Sequence, residues 1–175
     1  ASLLGQETIF VPALAMTPRT TNGPASGSVE TTTNKVMLKT LDFDASTAEY
    51  AQFAVQMPKG WDLGTLICQF VWKHASTTTN FGVAWEIAAV AFANDDAGDT
   101  AFGTAVTVVD TGGTTNDIYL TGETGAMTVA GTPAAEEWVV FQINRAPANG
   151  SDTMAIDAGL LGVKIHYTTN ALTDS

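Results

Sequence analysis

At 175 residues the chain has the length of a single domain, and it can bury a core without disulfides or a structural metal. Seven basic against 18 acidic residues give a net charge of −11, which argues against partners with phosphate backbones or anionic lipid surfaces. Charged residues make up only 14% of the chain, well below the usual quarter, so much of the surface is weakly polar. Such a surface is easily dehydrated against another molecule.

The first 33 residues differ from the rest of the chain. Prolines at positions 12, 18 and 24 interrupt any regular element, yet several residues between them are too apolar to remain in water. We therefore expect an extended N-terminal arm (1–33) that docks on the body (34–175) or on a neighbouring subunit. The candidate assembly interface consists of Ile9, Phe10, Val11, Leu14, Met16 and Arg19.

From Lys35 onward apolar residues recur with a period of two, and no segment shows a capped helical pattern. This spacing predicts an all-β protein, an antiparallel two-sheet sandwich of eight or nine strands. A jelly roll is the preferred topology and an immunoglobulin-like sandwich the alternative. The run 138–143 predicts a strand buried on both faces, and Leu161, Val163, Ile165 and Tyr167 are expected to share one face. Strands are expected within 48–57, 64–74, 81–92, 105–109, 117–120, 127–130, 138–143 and 160–167.

The sequence shows no arrangement typical of an enzyme. His74 and His166 stand far apart and outside any spaced metal motif, and no nucleophile elbow or phosphate-binding loop occurs. The single Cys68 lies in an apolar run and is expected to be buried. We predict no catalytic residue, no cofactor and no metal.

Two acidic groups carry alternative interpretations. Asp42 and Asp44 lie two residues apart, a spacing that on a strand places both on one face as in a glycosidase pair, although a solvated strand face or a turn explains them equally well. Asp95, Asp96 and Asp99 form an acidic loop that lacks the spacing of a calcium-binding loop.

The four tryptophans bear on sugar binding, since exposed indole rings stack on sugars. Trp72, Trp85 and Trp138 lie within apolar or alternating runs and are expected in the core. Trp61 follows the turn 58–60 and is the best candidate for an exposed ring, although a ring folded back over the sheet edge is the commoner outcome in such a turn.

Short motifs occur along nearly the whole chain, and they are structural rather than chemical. They are Arg19-Thr20-Thr21-Asn22-Gly23, Thr40-Leu41-Asp42-Phe43-Asp44, Thr47, Glu49-Tyr50-Ala51-Gln52-Phe53, Met57-Pro58, Trp61-Asp62, Phe141, Arg145, Ser151-Asp152-Thr153, Asp157-Ala158 and Leu160-Leu161-Gly162-Val163. In these motifs the chain resembles a family of short proteins encoded among the virion structural genes of tailed bacteriophages. One departure from the family is Gly159, where a larger residue is expected.

The resemblance implies a capsid cement or decoration protein that is made in the host cytoplasm and located on the outer surface of the virion head. Its expected partners are the major capsid protein and two further copies of itself, a homotrimer whose arms bridge capsomers. The alternative is a receptor- or carbohydrate-binding module of a head fibre or tail.

Overall fold

The computed structural model describes residues 5–75 and 80–170, which form a nearly all-β structure. Within these ranges, no helix is long and apolar enough to cross a membrane. The elements are β1 (Gln6–Pro12), the short 3₁₀ helix η1 (Ala13–Ala15), β2 (Thr17–Pro18), β3 (Ala25–Glu30), β4 (Met37–Phe43), β5 (Tyr50–Gln56), β6 (Ile67–His74), β7 (Phe81–Phe92), β8 (Val106–Gly112), β9 (Tyr119–Leu120), β10 (Trp138–Arg145) and β11 (Ala158–Thr168).

The strands form two antiparallel sheets. The six-stranded sheet has the order β3-β4-β11-β6-β9, with β1 also paired to β11, and the five-stranded sheet has the order β2-β5-β10-β7-β8. The strands from β4 to β11 therefore form the quartets β4-β11-β6-β9 and β5-β10-β7-β8, which is the strand order of a jelly roll. This arrangement confirms the predicted sandwich.

The core lies between the sheets and follows from the period-two alternation. On β6, the residues Cys68, Phe70 and Trp72 are completely buried, and on β7 every second residue from Phe81 to Ala91 faces inward. At the centre, the Trp85 ring stacks on Phe70 with centroids 5.6 Å apart and meets the edge of Phe43 at 5.3 Å. Each large apolar side chain buried in this way contributes about 1.5–3 kcal/mol to folding.

The cysteine lies in this core, as the sequence predicted. Cys68 is fully buried on β6, and its backbone N–H donates to the hydroxyl of Thr124. Burial raises the pKa of the Cys68 thiol to about 12, so the sulfur stays protonated and unreactive at neutral pH.

Three strand predictions need correction. The segment 127–130 forms two isolated bridges instead of a strand, one to Leu66 and one to Val90. The run 138–143 is buried on one face only, because Val139, Phe141 and Ile143 face the core while Trp138 on the opposite face is half exposed. Leu161 does not share the face of Val163, since a register shift between residues 160 and 162 turns it away from the core.

The N-terminal segment docks on the body as strands. Strand β1 pairs with β11 along residues 162–168, β2 pairs with β5, and β3 pairs with β4. Residues 6–30 therefore supply strands to both sheets, and the prolines mark the points where the chain passes from one to the next. The apolar residues of this segment are explained in part by contact with the core rather than with a second subunit.

Gly159 is explained by its neighbours on the six-stranded sheet. A Cβ at this position would lie 3.0 Å from Oδ1 of Asp42 and 3.0 Å from Cγ2 of Thr40. The larger residue expected from the sequence would displace both side chains, so glycine allows β11 to pair closely with β4.

A buried ion pair joins the two sheets. Arg145, at the end of β10, is 0% exposed, and its Nε and Nη2 donate to the two carboxylate oxygens of Asp152 at 2.9 and 2.6 Å. The guanidinium also donates to the carbonyl oxygens of Met154 and Ile156. Oδ2 of Asp152, which accepts Nε of Arg145, also accepts the N–H of Ala84 on β7 at 3.0 Å. This network fixes the whole connection from β10 to β11.

Replacing Asp152 tests this network. We expect Asp152→Ala to lower the free energy of unfolding by about 3–5 kcal/mol, because a guanidinium would remain buried without its counter-charge. Urea denaturation measures the change, with Asp99→Ala in an exposed loop as the control, expected to change stability by less than about 0.5 kcal/mol. Equal stability of the two variants would contradict the assignment.

Candidate functional site

The five-stranded sheet has one face directed away from the core, and we call its central part the outer face. Antiparallel pairing places its residues in rows across β5, β10 and β7. Six residue steps separate the first row from the last, which corresponds to about 20 Å. In the order of the rows, the outer face consists of Gln56, Trp138 and Phe92; Ala54, Val140 and Val90; Gln52, Gln142 and Ala88; Tyr50, Asn144 and Glu86.

An exposed aromatic pair occupies the first row. Trp138 is 50% exposed, and its ring lies 5.7 Å from that of Phe92 at an angle of 46°. The sequence interpretation placed Trp138 in the core, and this assignment is wrong. For Trp61, the folded-back ring that it took as the commoner outcome is the one observed. Trp61 is 1% exposed, because a bridge to Thr169 folds it over the end of the sandwich. Trp138 is exposed because its neighbour Val139 takes the inward position on β10.

A pair of amides occupies the third row. The Nε2 of Gln52 donates to Oε1 of Gln142 at 3.0 Å, which links β5 to β10 across the surface. Each amide has one further polar group, Oε1 of Gln52 and Nε2 of Gln142. Within the described residues these two groups have no protein partner, so the pair presents one acceptor and one donor to a ligand.

Polar side chains and a tyrosine occupy the last row. The carboxylate of Glu86 accepts from Nδ2 of Asn144 at 2.9 Å and from the hydroxyl of Thr107 at 3.1 Å. The guanidinium of Arg19 lies 4.6 Å from the centre of the Tyr50 ring. The loop 146–149 borders a depression of about 500 Å³ beside these residues. The outer face therefore ends in a polar hollow opposite its aromatic end.

The six-stranded sheet has a second depression, of about 630 Å³, on its own outer surface. Asp42, Asp157 and Lys73 line it. Partial burial, together with the carboxylates of Asp44 and Asp42, raises the pKa of Asp157. Lys73 is 5% exposed, and its ammonium donates to Oδ1 of Asn116 at 3.1 Å.

Asp42 and Asp44 do not act as a matched pair. Oδ1 of Asp42 accepts the hydroxyl of Thr40 at 2.6 Å. Asp44 lies beyond the end of β4, where Oδ1 accepts the hydroxyl and the N–H of Ser46 and the N–H of Thr47. These hydrogen bonds, the Ser46 hydroxyl first, lower the pKa of Asp44 to about 2. Its carboxylate therefore holds the turn after β4 rather than facing the depression.

The acidic loop near residue 95 is also built from local bonds. Oδ2 of Asp96 accepts the N–H of Ala93 at 2.8 Å. Across the part of the chain that the structure describes, no three His, Cys, Asp or Glu side chains gather in a position to hold a metal ion.

The six predicted interface residues are divided between the core and the surface. Ile9 and Val11 pack partly against the core, and Met16 is 5% exposed. Arg19 is exposed but lies over Tyr50. Phe10 and Leu14 are 52% and 61% exposed, and these two remain available to a partner.

Sequence reasoning did not identify the amide row or the exposed tryptophan as a site. The period-two alternation within 48–57 predicts that Tyr50 and Gln52 lie on the face of β5 opposite Phe53, and the structure agrees. The signal that was available is the same alternation in β10, where the positions between Val139, Phe141 and Ile143 must point outward. It was obscured because Trp138 and Val140 are themselves apolar.

No protein-family model matches this chain, and no curated protein matches it. Among solved structures, an arabinose-bound α-L-arabinofuranosidase (MgGH51) has 10% identity and a TM-score of 0.53 over 88% of this chain and 23% of its own. The CBM36-1 domain of a multidomain xylanase from the hindgut metagenome of Trinervitermes trinervoides has 10% identity and a TM-score of 0.46, over 91% and 96%. The family 11 carbohydrate-binding module from Clostridium thermocellum has 11% identity and a TM-score of 0.40, over 94% and 89%. At such identities the likeness concerns the fold alone.

Fluorescence quenching tests the placement of the tryptophans. Trp61, Trp72 and Trp85 are at most 1% exposed, so we expect iodide to quench only the emission of Trp138. Trp138→Phe should remove the quenchable fraction and leave the remaining emission blue-shifted. A variant that still shows the wild-type quenchable fraction would contradict the exposed position of Trp138.

Proposed function

We propose that this chain is a binding module that holds a neutral glycan chain on its outer face. The observation that carries the proposal is the exposed ring of Trp138, which lies beside Phe92 on the same sheet face as the Gln52–Gln142 amide pair. A large aromatic side chain that is half exposed on a sheet face loses hydrophobic stabilisation unless another molecule covers it.

The aromatic end suits the face of a sugar ring. The C–H groups of a pyranose form an apolar surface, and an indole ring offers a flat, electron-rich partner of similar size. The Trp138 ring packs beside the Phe92 ring, and β10 is paired with β7 at this position, so the backbone of Trp138 is held in place before a ligand binds. A preorganised surface of this kind loses little conformational entropy on binding.

The amide row supplies the polar contacts. Sugar hydroxyls both donate and accept hydrogen bonds, and the Gln52–Gln142 pair presents one group of each kind. In the row after the amides, the partly exposed carboxylate of Glu86 offers further acceptor atoms, and the buried Asn144 holds it in place. A chain of sugar units along β10 would thus meet an aromatic ring first and hydrogen-bonding groups after it.

The charge of the outer face favours a neutral ligand. Glu86 is the one charged residue among its twelve positions, and the whole chain carries a net charge of −11. An anionic polysaccharide would be repelled by this field, whereas an uncharged chain is not.

Replacing Trp138 tests the proposal. We expect Trp138→Ala to weaken binding to a neutral polysaccharide by about tenfold or more, because the ring supplies the principal apolar contact. Affinity electrophoresis through gels containing different neutral polysaccharides identifies the ligand, and calorimetry measures the loss. Leu14→Ala removes an equally exposed apolar side chain outside the face and should bind as the wild type does. Binding that survives in Trp138→Ala would refute the site.

The second candidate function is the capsid decoration expected from the sequence, and it stays a prediction. The observation that favours it is the exposure of Phe10 and Leu14, at 52% and 61%, in the segment expected to contact the major capsid protein. This function places the contact surface at the N-terminal segment and gives the outer face no part in it.

The two candidates predict opposite effects of the same variants. If the chain decorates a capsid, Leu14→Ser should lose cosedimentation with empty phage shells, and Trp138→Ala should retain it. If the chain binds a glycan, Leu14→Ser should retain the polysaccharide and Trp138→Ala should lose it. A wild-type chain that does not sediment with shells would remove the second candidate.

A further inference from the structure

We propose that the free edge of β8 pairs with β8 of a second copy of this chain in antiparallel orientation. The two five-stranded sheets would then continue into each other as a single sheet. The interaction surface is the backbone of Val106–Gly112, and its partner is the same strand of an identical molecule.

Strand β8 is the last strand of its sheet. It pairs with β7 from Val106 opposite Ile87 to Gly112 opposite Phe81. Among the described residues, no other segment forms backbone hydrogen bonds with β8 on its other side. Every second residue of this seven-residue strand therefore directs its N–H and C=O groups to the surroundings, and such a row is a template for another strand.

This edge lacks the features that usually prevent pairing. Proteins protect free edges with charges, prolines or very short strands. The single charged residue of β8 is Asp110, and its carboxylate turns inward to accept Nε1 of Trp72 at 2.8 Å. The outward side chains are those of Thr107, Val109 and Thr111, which are uncharged and β-branched.

The other free edges of the described structure are protected. Strands β2 and β9 have two residues each. Strand β3 ends at the exposed Glu30, and β1 carries the exposed Glu7 and ends at Pro12. Among these edge strands of the described structure, β8 is thus the one that lacks protection.

An identical molecule fits this edge better than another partner does. In a two-fold pair, each surface meets its own copy, so any exposed carboxylate of this acidic chain would meet another carboxylate. β8 presents no such group. With the two-fold axis at Val109, this residue faces the second copy's Val109, and Thr107 faces the second copy's Thr111. β-branched residues in directly opposed positions stabilise antiparallel strands.

The orientation of the two chains in such a dimer would also affect glycan binding, an inference that rests on the proposed function. The two-fold axis of an antiparallel pair is perpendicular to the sheet, so both outer faces point the same way. The two copies of Trp138 would lie on one continuous surface, and a long glycan chain would meet two sites. Linked sites bind a repeating ligand more tightly than either site alone.

Charge variants at Val109 test the pairing by sedimentation equilibrium up to about 1 mM protein, since a contact through one strand is small and weak. We expect the wild-type mass to rise toward that of two chains. Val109→Lys and Val109→Glu should each weaken dimerisation by at least about fivefold, because like charges then oppose each other. An equimolar mixture of the two variants should restore it. Val36→Lys, which changes an equally exposed valine outside β8, should dimerise as the wild type does.

Several results would overturn the proposal. They are a wild-type chain that stays monomeric, a mass of three chains, a dimer unaffected by either Val109 variant, or a mixture that shows no recovery. Hydrogen exchange of the wild type gives a check that needs no variant, since outward amides of β8 must become protected as the concentration rises. The proposed function is judged separately, because the polysaccharide assay is run at concentrations where the chain is monomeric.

Discussion

The buried contact between Arg145 and Asp152 is the constraint on which the arrangement of the two sheets depends. Arg145 ends β10 in the five-stranded sheet, and its guanidinium holds the carbonyl oxygens of Met154 and Ile156 just before β11 in the other sheet. The carboxylate of Asp152 also accepts the N–H of Ala84, which connects β7 to the same network. Because both charged groups are withdrawn from water, each requires the other, and the connection has little freedom to move. The polar hollow beside Asn144 is bordered by residues of this same connection.

The arrangement of the outer face follows from the packing of the core. Every inward residue of β10, such as Phe141 stacked on Phe53 at 4.9 Å, requires that its neighbours point outward. The packing of the interior thus determines that Trp138 and Gln142 point outward and holds their backbone in place. A binding surface built on strands in this way is more rigid than one built on loops, which suits a flat, extended ligand.

The distribution of charge connects the two proposals. The chain carries 18 acidic residues, yet the outer face has one carboxylate, and that of Glu86 is held by Asn144 and Thr107. The adjacent edge at β8 turns its single carboxylate inward. The acidic residues therefore lie mostly elsewhere, and the five-stranded sheet keeps a surface that is easily dehydrated. Glycan binding and strand pairing both require such a surface.

The sequence by itself determined the sandwich, because the period-two alternation in segments such as 64–74 and 81–92 is a local property that the core then uses directly. It also determined the burial of Cys68 and the side of β5 on which Gln52 lies. Only the tertiary structure decided which tryptophan is exposed, since the exposure of Trp61 and Trp138 depends on what packs over each ring, and their neighbours along the chain do not specify that. The docking of residues 6–30, the bulge beside Leu161 and the free edge of β8 were decided in the same way. Each depends on pairing between segments far apart in sequence, and an alternating pattern specifies which face of a strand is buried but not which strand lies beside it.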